Sequence, residues 1–122
     1  VRSLLAGLAL GVLCLTAQPS AVRAAPAVTD HIYQAAHVYH LNGDWFLRVA
    51  KCEAGPLLNP SVRSKNGLYH GLFQFDWATW YWMSARAGYE GYSPYDPEAA
   101  AQTAAWGFAN NQAFRWPACR YA

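Results

Sequence analysis

A chain of 122 residues has room for one small domain, and a composition 54% hydrophobic and 13% charged excludes a disordered chain or a polyelectrolyte. The formal net charge of +2 contains Arg2 and Arg23 from the first 24 residues, which hold no acid; beyond them seven basic residues face seven acidic ones. A formally neutral domain lacks the basic surface that tight nucleic-acid binding requires.

Val1-Arg2-Ser3 is followed by an apolar run from Leu4 to Ala17 and by small residues spaced as Val22-Arg23-Ala24. Those are the three parts of a secretory signal peptide cleaved before Ala25. The run is short for a permanent membrane anchor, the alternative reading. Retained on the domain, it is expected as a helix packed on nothing. The chain is therefore read as a leader over 1–24 and one exported domain over 25–122, with no membrane association after cleavage. Removing the leader takes Cys14 with it and leaves Cys52 and Cys119 in an oxidising compartment. If these two pair, the connectivity is unambiguous, and the closed loop stabilises the fold by roughly 4 kcal/mol. Two buried free thiols are the alternative.

Along the domain, Asp30 is placed to cap a helix running to about His40, with Ile32, Ala35, Ala36 and Tyr39 on one face. Leu41-Asn42-Gly43 stops it, and Asp44 is expected to cap a second helix from Trp45 to about Glu53, ended by Gly55-Pro56. Asn66-Gly67, with the short runs Leu68-Tyr69 and Leu72-Phe73, predicts a small hairpin. Asp76 caps a third helix from Trp77 to about Ala87, stopped by Gly88. After a loop rich in Tyr, Gly and Pro, Asp96-Pro97-Glu98 starts a fourth helix that runs to about Asn110. The expected fold class is mainly α (α+β), with one β-hairpin.

On the second helix Phe46, Val49, Ala50 and Glu53 recur at i, i+3, i+4 and i+7, so Glu53 extends an apolar stripe. A carboxyl group there loses hydration and its pKa rises, the property that general-acid cleavage of a glycosidic bond requires. A helix-end Glu curling into solvent is the alternative. Asp76 and Asp96 are explained as caps. His31, His37, His40 and His70 show no zinc-protease spacing and are read as surface or capping residues, so neither a metal nor another cofactor is expected.

Six Trp, eight Tyr and five Phe all follow residue 24. At least half of Trp77, Trp80 and Tyr81 are expected in the core, with Trp82 and the loop tyrosines Tyr89, Tyr92 and Tyr95 exposed to stack on sugar faces.

Val49-Ala50-Lys51-Cys52-Glu53-Ala54-Gly55, then Asn59-Pro60, then Gly71-Leu72-Phe73-Gln74 resemble the lysozyme-like lytic transglycosylases, with Ala54 where that family has Ser. Cys52 beside Glu53 and Trp116-Pro117-Ala118-Cys119 are similar to its secreted resuscitation-promoting-factor branch. The family's late-helix Ala-Tyr-Asn has only Phe108-Ala109-Asn110 in its place. The resemblance implies a lysozyme-like domain, a Cys52–Cys119 disulfide behind the active site, and Glu53 as the single catalytic acid/base. It also implies Gln74 beside Glu53 and an aromatic, Tyr69, at the cleft. Trp82 and Tyr92 complete the expected sugar contacts. Alternation sends Phe73 to the core and Gln74 to the cleft, so loss of the Gln74 amide is expected to weaken turnover and spare the fold. The implied activity is cleavage of the MurNAc-GlcNAc glycan of peptidoglycan by a monomeric secreted enzyme without cofactors. A hydrolytic muramidase and a non-catalytic peptidoglycan-binding module are the alternatives.

Overall fold

The computed structural model describes residues 7, 9–16 and 24–122. Most of the expected leader, including Val22 and Arg23 of its cleavage motif, lies outside the described residues. Residues 9–16 are exposed and non-helical, unlike the isolated helix expected there.

Among the described residues the chain forms four helices: α1 (Val28–Val38), α2 (Gly43–Ala54), α3 (Trp77–Ala87) and α4 (Pro97–Ala109). Two short 3-10 turns follow, Ala113–Arg115 and Cys119–Tyr121. None of the helices is long and apolar enough to cross a membrane. The fold is mainly helical.

α3 and α4 begin where their acids require. The Asp76 carboxylate accepts from the Thr79 N–H at 2.8 Å, and Asp96 from the Ala99 N–H at 2.8 Å, with Pro97 opening α4. Gly88 ends α3 in the left-handed conformation. The first two helices depart from expectation. α1 starts at Val28, so Asp30 is not its cap but its third residue, reaching back to accept the Ala27 N–H at 3.0 Å. α2 is capped by Asn42, whose side chain accepts from the Trp45 N–H at 2.9 Å. Asp44 lies one place inside and instead accepts the Tyr33 hydroxyl at 2.7 Å.

α4 is buried nearly all round, and its run of alanines is the reason it can be. Small side chains let α1 pack on one flank and α3 on another, while α2 packs on α1. Ile32, Phe46, Val49, Phe73 and Trp80 fill the core between them, each such burial contributing roughly 1.5–3 kcal/mol. Phe46 stacks on Phe73 with centroids 4.7 Å apart, so α2 is packed directly on the segment that follows Gly71.

That segment is not a hairpin. Only the isolated bridges Arg63–His70 and His70–Phe75 form. The Asn66-Gly67 turn is present, closed by a bond from the Gly67 N–H to the Ser64 carbonyl at 2.9 Å. Side chains, however, take the amides a strand ladder would use: Asn66 Oδ1 accepts from Leu68 N–H and Ser64 Oγ from Tyr69 N–H. His70 corrects the reading of the histidines as surface or capping residues. It is buried, with Nδ1 2.6 Å from the Tyr95 hydroxyl and its ring 4.7 Å from that of Trp77.

Candidate active site

α2 delivers Glu53 to the surface at the end of an apolar stripe. Phe46, Val49 and Ala50 are fully buried, and Glu53, one turn on, is half-buried. Burial alone pushes its carboxyl up to about 7, because the charged form loses hydration there. An acid poised at that value can give up a proton near neutral pH and take one back.

Glu53 opens into a cavity of about 320 Å³ whose walls include Tyr69, Gln74, Arg115, Trp116 and Cys119. A second cavity of about 260 Å³ shares Tyr69, Gln74, Arg115 and Trp116 and continues past Asp76, Thr79 and Phe114. The shared walls make the two one groove. Three side chains expected at the site, Glu53, Gln74 and Tyr69, therefore meet in it.

Gln74 reaches the groove by a route that strand alternation does not describe. Residues 71–74 form a turn, and Gln74 takes a left-handed backbone with φ +52°. Phe73 is fully buried and Gln74 lines the groove, as expected, yet the Gln74 amide is already engaged: Nε2 donates to the Gly71 carbonyl at 2.9 Å. Gly71 is itself at φ +77°, and a Cβ there would run into the Pro94 carbonyl oxygen. Only glycine fits.

The opposite wall comes from the C-terminus. Cys52 and Cys119 form a disulfide, with Cα atoms 5.6 Å apart, fixing the end of α2 to the tail immediately beside Glu53. Trp116 is buried, stacks on Phe108 at 4.4 Å and donates its indole N–H to the Phe73 carbonyl at 2.9 Å.

Trp82 and Tyr92 line neither cavity. The Arg86 guanidinium lies 4.1 Å from the Trp82 ring centroid, and Trp106 meets that ring edge-on. Tyr92 packs on Tyr89 and lends its carbonyl to the Trp80 indole N–H at 2.9 Å. Of Trp77, Trp80 and Tyr81 only Trp80 is buried, fewer than expected. Trp77 and Tyr81 are 43% and 67% exposed and stack on each other. Tyr92 is exposed, while Tyr89 and Tyr95 are half-buried.

Arg115, Phe114 and Trp116 are wall residues that sequence reasoning did not identify as such. Trp116 had a signal, its place beside Pro117-Ala118-Cys119; Arg115 had none. Asp76, the other carboxylate on these walls, accepts from both the Thr79 N–H at 2.8 Å and the Thr79 hydroxyl at 2.9 Å. Among the described residues no three His, Cys, Asp or Glu side chains gather as metal ligands.

The chain matches no family model, no curated protein and no solved structure.

Proposed function

We propose that this chain is an exported lysozyme-like enzyme that cleaves the glycan strands of peptidoglycan with a single carboxylate, Glu53, as a lytic transglycosylase. The observation that carries this reading is a half-buried acid, held near pKa 7 by burial alone, in a groove shared with Tyr69 and Gln74. The order of motifs around Glu53, Asn59-Pro60 and Gln74 supports it independently.

The protonated Glu53 gives its proton to the glycosidic oxygen as the bond from that oxygen to the sugar's anomeric carbon breaks. The substrate's N-acetyl carbonyl oxygen closes on the anomeric carbon and carries the developing positive charge. Glu53, now a carboxylate, takes the proton of the sugar's 6-hydroxyl. The 6-oxygen then bonds to the anomeric carbon and displaces the acetamido oxygen, leaving a 1,6-anhydro end. Glu53 is again protonated, and no water is consumed.

Hydrolysis by the ordinary two-carboxylate route needs a second carboxylate to activate water or attack the sugar. Asp76 is engaged on both oxygens by Thr79, which favours the single-carboxylate route. Digestion of purified peptidoglycan separates the readings. Anhydro-muropeptides support the proposal, reducing ends support hydrolysis, and no release leaves only a binding module.

A further inference from the structure

Arg115 is a cation of the groove whose position is set by neutral neighbours. Arg115 lines both cavities. Its Nε donates to Gln112 Oε1 at 2.8 Å and its Nη1 to Thr79 Oγ1 at 3.2 Å. The guanidinium also lies 5.1 Å from the Phe114 ring centroid and 5.3 Å from that of Trp82. These contacts hold its plane in place, and neither hydrogen-bond acceptor carries a charge that cancels its own. Its link to an acid is indirect: the Thr79 hydroxyl donates a hydrogen bond to Asp76 Oδ2 at 2.9 Å, and the other Asp76 oxygen accepts from the Thr79 N–H. Among the described residues, Arg115 is the one basic side chain on the walls of the cavity that holds Glu53.

A guanidinium fixed by two bonds still has N–H donors to offer, and carboxylates match that planar fork. We propose that Arg115 is a specificity-determining residue that binds a carboxylate carried by the glycan substrate. The inference rests on the proposed glycan cleavage and names the form of strand it prefers. In peptidoglycan the carboxylate nearest the sugar ring is the lactyl group of N-acetylmuramic acid. It is ionised only after the amide bond to the stem peptide has been hydrolysed. The reaction that supplies this substrate is thus an amidase reaction, which strips peptides from the strand. The acidic residues of an intact stem peptide carry the same chemical group farther from the ring.

The test is a binding titration followed by NMR chemical shifts, read on the wild type and on Arg115→Gln and Arg115→Lys. Three probes are used: the disaccharide N-acetylglucosaminyl-N-acetylmuramic acid, its lactyl methylamide, and the free stem peptide. The acid is expected to bind at least about tenfold more tightly than the amide, as a charge-assisted bond predicts. Added salt should narrow that gap, Arg115→Gln should abolish it, and Arg115→Lys should keep part of it. Binding of the free peptide that also depends on Arg115 would place the carboxylate on the stem. Equal binding of acid and amide by the wild type overturns the inference, as does a gap that survives in Arg115→Gln. An Arg115 that merely ties the 3-10 turn to α3 changes melting temperature but not the ratio of acid to amide. Because the readout is binding, a protein that fails to cleave glycan sinks the proposed function and still leaves this result legible.

Discussion

Trp116 and Phe73 are joined across the buried side of the groove, the indole N–H donating to the backbone carbonyl at 2.9 Å. Phe73 stacks on Phe46 of α2, and Cys119 is bonded to Cys52 at the end of the same helix. The acid-bearing helix, the turn that carries Gln74 and the C-terminal wall are therefore one tied unit. A group that must meet a sugar at hydrogen-bond distance benefits from such rigidity.

The raised value of Glu53 links pH to both activity and stability. A general acid with pKa about 7 is lost as pH rises past that value, so cleavage should decline above about pH 7. The folded state holds the proton more tightly than the unfolded chain does. Stability from this group is thus complete below the ordinary carboxylate range, about 4.5, and is lost as pH rises through about 7. Glu53→Gln, which has no charge to bury, should match the wild type in stability at pH 4. It should exceed the wild type by about 1–2 kcal/mol at pH 8, a figure discounted for partial exposure. Urea unfolding at the two pH values reads this directly.

Replacing Cys52 and Cys119 together by Ser should destabilise the fold by about 2–5 kcal/mol. Activity should fall as well, since Cys52 precedes Glu53 and Cys119 lines its cavity. Mass spectrometry of the protein purified without reductant, before and after reduction, should show one disulfide; two free thiols would contradict it.

For Gln74→Ala, turnover of glycan should drop about tenfold or more, the effect of losing one useful hydrogen bond in the groove. Stability should also fall, by about 1 kcal/mol, because the amide holds the Gly71 carbonyl. Steady-state kinetics together with thermal melts separate the two effects.

Gly71→Ala places a methyl group against the Pro94 carbonyl at a left-handed backbone position. It should destabilise the protein by about 2 kcal/mol or more. Glycan binding should weaken too, because Gln74 hangs on this turn through both its backbone N–H and its amide. A near-normal melting temperature would contradict the close approach.

Helix ends that depend on one local residue were legible. Asp76, Gly88 and Asp96-Pro97 each act where their chemistry predicts. Where two polar residues compete for one cap, the sequence does not rank them: Asn42 serves α2 while Asp44 is drawn to Tyr33. The hairpin failed for a related reason, since Ser64 and Asn66 claim amides that a ladder would need. His70 is buried against Trp77 and the sequence-distant Tyr95, contacts that no local pattern shows. In the site, Glu53 was legible because its stripe lies within one helix. Arg115 was not, because its partner Thr79 and the ring of Trp82 lie on a separate helix, a tertiary relation without a local pattern.

In the proposed reaction Glu53 alone cleaves the strand, without water. Mass spectrometry of muropeptides released from purified peptidoglycan tests it most directly, with the wild type and Glu53→Gln run side by side. The wild type should release 1,6-anhydro ends, and Glu53→Gln should release at least about a hundredfold less. Reducing ends alone, no release by the wild type, or near-normal release by Glu53→Gln would contradict the account.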